Sequence, residues 1–197
     1  MTMKTLSENT IFPPTAEKTP TYLKKFDSVR LDNYYWLNDR ENPEVLDYLN
    51  KENNYYEKMT VNTKGFQKKI FKEIKEKIKE DDESVPYFLN GYWYITKFEE
   101  EKNYPIYLRK KSSLNANDEI LFDCNKLAKG HEYFNLSNIR ISPNNKYAAF
   151  SIDTISRRLY TIRIKNLETG EILSQSIKNS SGNFAWANNN STLFYTI

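Results

Sequence analysis

Ser142-Pro143-Asn144-Asn145-Lys146-Tyr147-Ala148-Ala149-Phe150-Ser151 and Ala187-Asn188-Asn189-Asn190-Ser191-Thr192-Leu193-Phe194-Tyr195-Thr196 align with each other at an offset of 45. Each begins as a polar turn and runs into an apolar strand. A second pair, Tyr104-Pro105-Ile106-Tyr107-Leu108-Arg109 and Tyr160-Thr161-Ile162-Arg163-Ile164-Lys165, aligns at an offset of 56. Units of about 40 to 50 residues that hold several short strands are the mark of propeller blades, each a four-stranded antiparallel sheet. A single antiparallel sheet or sandwich with look-alike hairpins is the other arrangement that this texture allows.

Outward from the repeats, short aromatic and β-branched runs are separated by Asn, Gly, Ser and Pro from Ser84 onward. They predict strands at 92–98, 104–110, 120–123, 138–141, 147–152, 160–165, 172–176, 183–186 and 192–196. Before Ser84 the periodicity is helical. Asn42 suits an N-cap, Pro43 the first helical position and Glu44 the positive end of the helix dipole; Val45, Leu46 and Leu49 then make one apolar stripe, with Tyr48 or Tyr56 beside it. A second helix follows Gly65, with Phe66, Ile70, Ile74 and Ile78 at i, i+4 spacing and Lys and Glu on the other faces. Asp81-Asp82-Glu83 are unfavourable at a helix carboxyl end and help to stop it. Residues up to about Lys25 carry Pro13, Pro14 and Pro20 without apolar periodicity and read as an extended arm. The expected fold is mainly β with an amino-terminal α-helical segment, divided into 1–83 and 84–197, the second part being two blades and the opening hairpin of a third.

The 197 residues, 39% hydrophobic and 15% aromatic, suffice for a buried core. A formal charge of +3, from 29 basic and 26 acidic residues, is too small and too mixed to call for a nucleic-acid or anionic-membrane partner. Six lysines against three glutamates between Phe66 and Glu80 read as a solvated helix face. Cys124 is the only cysteine, so no intrachain disulfide forms. With Lys4 but no apolar run in residues 1–18, and no stretch approaching a membrane span, a cytoplasmic location is expected.

Candidate chemistry is sparse. The glycines are Gly65, Gly91, Gly130, Gly170 and Gly182, no two closer than twelve positions, which rules out Gly-x-Ser-x-Gly, Gly-x-Gly-x-x-Gly and the P-loop in this sequence. His131 is the only histidine and reads as a structural residue leading into a strand. One His and one Cys cannot supply a transition-metal site. Consecutive Asp81-Asp82-Glu83 point in different directions, unlike the alternating ligands of a calcium loop. Glu99-Glu100-Glu101 read as a charged hairpin tip. Accordingly no catalytic, cofactor-binding or metal residue, and no cofactor, is assigned.

Arg30-Leu31-Asp32-Asn33-Tyr34-Tyr35-Trp36-Leu37, followed by Asn42-Pro43, resembles the amino-terminal signature of the prolyl oligopeptidase family of serine peptidases, in the oligopeptidase B or protease II branch. Val85-Pro86-Tyr87, Gly91-Tyr92-Trp93-Tyr94, Tyr104-Pro105-Ile106-Tyr107, Gly130-His131-Glu132-Tyr133-Phe134 and Ser142-Pro143 continue it in order, so that it covers nearly all of the chain from Pro13. Where the family usually has His-Gly before the first run, this chain has Phe26-Asp27. The resemblance implies a seven-bladed propeller set as a lid over the triad of an α/β-hydrolase domain, admitting only short flexible peptides, which oligopeptidase B cleaves after Arg or Lys. It implies further that Ile197 falls before most of the propeller and all of the hydrolase domain, which becomes the missing carboxyl-terminal partner. Tyr34, Tyr35 and Trp36 would anchor the arm on that domain, and Phe66, Ile70, Ile74 and Ile78 would bury the second helix against it. His131 falls at a non-catalytic position, and the carboxylates that select basic residues belong to the hydrolase part. The competing reading is a stand-alone, non-catalytic binding or scaffold module.

Overall fold

The two aligned pairs of segments fall on equivalent strands of successive sheets in the computed structural model, which describes residues 11–197. The chain divides into two compact units, the first ending at Ile78 and the second running from Lys79 to Ile197.

In the first unit, β1 (Thr21–Lys25) and β2 (Ser28–Asp32) form an antiparallel hairpin with Lys25 opposite Ser28. Thr21–Lys25, expected to be part of an extended arm, is therefore a paired strand. The alternation from Ser28 to Asp32 buries no face, since Tyr22, Val29 and Leu31 all stay exposed; backbone pairing across a two-residue turn holds the hairpin, with Phe26 at φ 54. Helix α1 (Pro43–Thr60) starts as its sequence predicts, with the Asn42 side chain accepting from the Glu44 N–H at 2.9 Å and Pro43 in the first turn. A 3-10 turn at Val61–Thr63 leads into α2 (Lys64–Lys75). That helix stops at Lys75, and single turns closed by the Lys77 and Ile78 N–H groups follow, so Ile78 lies beyond it.

In the second unit, blade 1 is a four-stranded antiparallel sheet of β3 (Tyr87–Leu89), β4 (Tyr92–Lys97), β5 (Ile106–Lys111) and β6 (Glu119–Asp123) in sequential order. The short helix α3 (Cys124–Leu127), capped by Asp123, leads to blade 2: β7 (Asn135–Ile141), β8 (Tyr147–Asp153), β9 (Tyr160–Asn166) and β10 (Ile172–Ser180), again in sequential order. A hairpin of β11 (Phe184–Trp186) and β12 (Leu193–Tyr195) opens the third unit. The fold is therefore an incomplete propeller, whose sheets do not close on themselves.

The period of two along β8 explains the stacking of sheets. Ala148 and Phe150 face blade 1 and are buried with Tyr94, Leu121, Phe122, Cys124, Phe134 and Leu136. Ala149, one step out of phase, is buried with Ile162 and Phe184 on the side of the third hairpin. Phe150 sits 4.6 Å from Phe122, ring centroid to ring centroid; burying such a side chain stabilises by about 1.5–3 kcal/mol. The alanines let the sheets approach. Ser151, also on the hairpin side, donates its hydroxyl to the Gly182 carbonyl at 3.1 Å. Gly182 is at φ +84, and a Cβ there would lie 2.8 Å from the Tyr160 ring, so the close approach of backbone to ring requires glycine.

Asparagine-rich turns knit the blades together. Asn145 Nδ2 donates to the Asn90 carbonyl in the β3–β4 turn at 3.0 Å, and the Asn144 N–H donates to Asn190 Oδ1 in the β11–β12 turn at 2.7 Å. Trp186 Nε1 donates to the Arg140 carbonyl at 2.9 Å. The polar half of the sequence repeat thus ties each first turn to the next.

Candidate functional site

Three features of the second unit concentrate polar chemistry. The first is a groove of about 450 Å³ between blades 1 and 2, lined by Tyr87, Leu89, Tyr94, Leu136, Ile139 and Arg140 among others. Tyr87 and Tyr94 stack in it with centroids 5.1 Å apart. Burial raises the Tyr87 phenol above its ordinary value, while the Arg140 guanidinium pulls the other way. Aromatic walls with one cation suit binding; no base and nucleophile meet there.

The second feature is a buried cation between the blades. Arg109 is 3% exposed and pairs with Glu119 at 2.6 Å, with its guanidinium 4.0 Å from the Tyr92 ring centroid. Its Nη1 reaches the Asn145 carbonyl of blade 2 at 3.4 Å. Burial works against the charge, and the Glu119 carboxylate more than restores it. Lys165, the residue aligned with Arg109 in the repeat, reaches back from blade 2 to the Leu121 carbonyl at 2.7 Å and lies 5.3 Å from the Phe122 ring; burial lowers its pKa. Equivalent positions therefore hold a cation against an aromatic ring of blade 1, worth about 0.5–2 kcal/mol each.

The third is the β8–β9 loop. Asp153, 1% exposed, accepts from four backbone N–H groups: Ile155 at 2.8 Å and Ser156 at 3.1 Å on Oδ1, Arg157 at 3.0 Å and Arg158 at 2.8 Å on Oδ2. Burial pushes this carboxyl up, but the four donors together hold it below the ordinary carboxylate range.

The residues singled out in the sequence lie apart. His131 is exposed in the link before β7, its ring 6.3 Å from that of Phe134. Asp81, Asp82 and Glu83 are exposed, with Asp82 paired to Lys79. Glu101 sits in the β4–β5 turn at φ 59. Among the described residues no three His, Cys, Asp or Glu side chains group as metal ligands, and no helix is long and apolar enough to cross a membrane. Cys124 is buried, and burial pushes its thiol up to about 12. In the first unit, Trp36 turns inward, donating Nε1 to the Glu17 carbonyl at 2.9 Å and meeting Tyr48 edge-on, while Tyr34 and Tyr35 stay exposed. Phe66, Ile70 and Ile74 are exposed along α2.

Arg109 and Asp153 escaped the sequence reading. A signal for the first exists: the aligned segments Tyr104 to Arg109 and Tyr160 to Lys165 both end on a cation. For Asp153 nothing in the sequence separates it from any polar strand end.

Residues 13–197 match the family described as Prolyl oligopeptidase, N-terminal beta-propeller domain. The chain is 38% identical to Dipeptidyl aminopeptidase BI of Pseudoxanthomonas mexicana and 30% identical to Protease 2 of Moraxella lacunata, in each case over 93% of this chain and 28% of the relative. It therefore spans less than a third of the length of these curated relatives. Oligopeptidase B from Leishmania major superposes with a TM-score of 0.82 at 27% identity, over 93% of this chain and 29% of that one. The sequential four-stranded sheets, the turns that tie them and these matches agree: the chain belongs to the prolyl oligopeptidase family of peptidases, in its amino-terminal propeller region.

Proposed function

We propose that this chain is the amino-terminal and propeller portion of a cytoplasmic serine oligopeptidase of the oligopeptidase B kind, which hydrolyses short peptides after Arg or Lys. In this reading the catalytic groups lie in a carboxyl-terminal hydrolase domain outside these residues, and the propeller restricts access by size. Residues 1–83 pack on that domain and 84–197 begin the lid. A folded protein is refused because its chain cannot thread past the blades, whatever its sequence. The observation that carries the proposal is the pair of complete sheets plus a hairpin, in a chain that spans 28% of Protease 2 of Moraxella lacunata.

The test has two arms. The reading frame beyond the codon for Ile197 should continue into further blades and a Gly-x-Ser-x-Gly segment; a stop with no such segment nearby would leave a stand-alone binding module instead. The purified chain should not turn over a blocked arginyl or lysyl amide, and should do so once the carboxyl-terminal portion is supplied. Because one relative is named a dipeptidyl aminopeptidase, an amide with a free amino-terminal dipeptide serves as the contrasting substrate. Preference for it would overturn the Arg/Lys assignment while leaving the family intact.

A further inference from the structure

Arg157 and Arg158 are adjacent and exposed, and exposed Ile155 and Leu159 flank them at the tip of the β8–β9 loop. A dibasic segment at a loop tip is chemically a substrate for endopeptidases that bind Arg or Lys, and nicking concentrates at such tips. Cleavage requires the segment to enter the protease cleft as extended backbone, pairing its own peptide groups there like an added strand. This loop withholds its backbone while presenting its side chains. The N–H groups of Ile155, Ser156, Arg157 and Arg158 all turn inward to Asp153. Ser156 and Arg158 stand at φ 62 and 57, opposite in sign to an extended chain. Opening the loop would strip a buried carboxylate of its donors, which is costly.

We propose that residues 154–159 are a latent dibasic cleavage site, locked by Asp153 against trypsin-like endopeptidases. The reaction withheld is hydrolysis of the Arg157–Arg158 or Arg158–Leu159 peptide bond: the C–N bond breaks, and water supplies oxygen to the new carboxylate and a proton to the new amine. The lock is built from this chain's own residues and holds whatever substrate the complete enzyme takes.

Limited digestion of the 197-residue chain with trypsin at neutral pH, read by mass spectrometry, tests it. Lys18, exposed in a segment without secondary structure, is the internal reference and should be cut first. Asp153→Asn keeps one oxygen for two of the four N–H groups and presents its own N–H to the others. Cutting after Arg157 and Arg158 should then accelerate about tenfold relative to Lys18, the loss of roughly one charge-assisted hydrogen bond. Amide exchange of the unaltered chain is the second readout: the Ile155, Ser156, Arg157 and Arg158 amides should exchange more slowly than those of Glu100 and Glu101 in the corresponding turn of blade 1. Early cutting at the arginines in the unaltered chain, a rate unmoved by the substitution, or fast exchange of those four amides would overturn the proposal; if the variant unfolds outright, the exchange pattern decides.

Discussion

Strand β8 and helix α2 both carry a regular apolar pattern, and they meet opposite fates. In β8, Ala148, Ala149 and Phe150 are at most 1% exposed, because sheets lie on both sides of the strand. Along α2, Phe66, Ile70 and Ile74 keep 65%, 39% and 56% of their surface. The α2 pattern is the cleaner of the two by eye, yet it contributes little burial. Periodicity specifies which face is suited to burial; the energy appears only where a second surface meets it.

The contrast can be broken most forcefully at Phe150. Phe150→Ala should lower the unfolding free energy by about 3–5 kcal/mol in a denaturant titration; a loss below about 1 kcal/mol would mean that the two sheets do not share a core there. Gly182→Ala comes next, at about 1–3 kcal/mol, since it combines a left-handed backbone with a Cβ driven into the Tyr160 ring. Measured against Tyr160→Ala alone, which removes the Cγ and Cδ2 that this Cβ would meet, Gly182→Ala should lose the steric part of its cost and keep the backbone part.

A smaller effect follows from Asp153, whose pKa is lowered from 3.8 in the folded chain. The folded state binds this proton less readily than the unfolded chain, so the stabilisation is full above the ordinary carboxylate range and disappears as pH falls through the folded value, below 3.8. The gap in melting temperature between the unaltered chain and Asp153→Asn should be flat near neutrality and shrink only in strong acid. A gap that closes already near pH 6 would assign the effect to another group. Smallest of all, Ile70→Gln and Ile74→Gln should each change stability by no more than about 0.5 kcal/mol, as at other exposed positions. If either costs as much as Gly182→Ala, the α2 face is buried in the folded chain and the comparison fails.

Most of the sheet architecture is legible in the sequence, because strands packed on both sides are rich in apolar residues and the turns between them are polar. Tyr104 to Arg109 and Tyr160 to Lys165 mark the third strand of each blade, and Ser142 to Ser151 and Ala187 to Thr196 mark the turn between first and second strands. Less legible are β3, only three residues long behind Pro86, and the β1–β2 hairpin, whose one alternating strand, Ser28 to Asp32, is short and keeps Val29 and Leu31 exposed. β7 begins at Asn135, three residues before the strand that the alternation predicts, because the register shifts between Leu136 and Asn138 and breaks the pattern. The inter-blade contacts of Arg109 and the loop bound by Asp153 depend on neighbours far along the chain or on backbone direction, neither of which a local pattern encodes.

Cys124 sits at 1% exposure among the residues that join blade 1 to blade 2, with its thiol pushed up to about 12. Alkylating reagents need an accessible thiolate, so at neutral pH labelling must wait for that packing to part. The single thiol is thus a natural stopwatch: its rate of modification measures how often the two sheets separate, with no competing cysteine in the sequence to correct for.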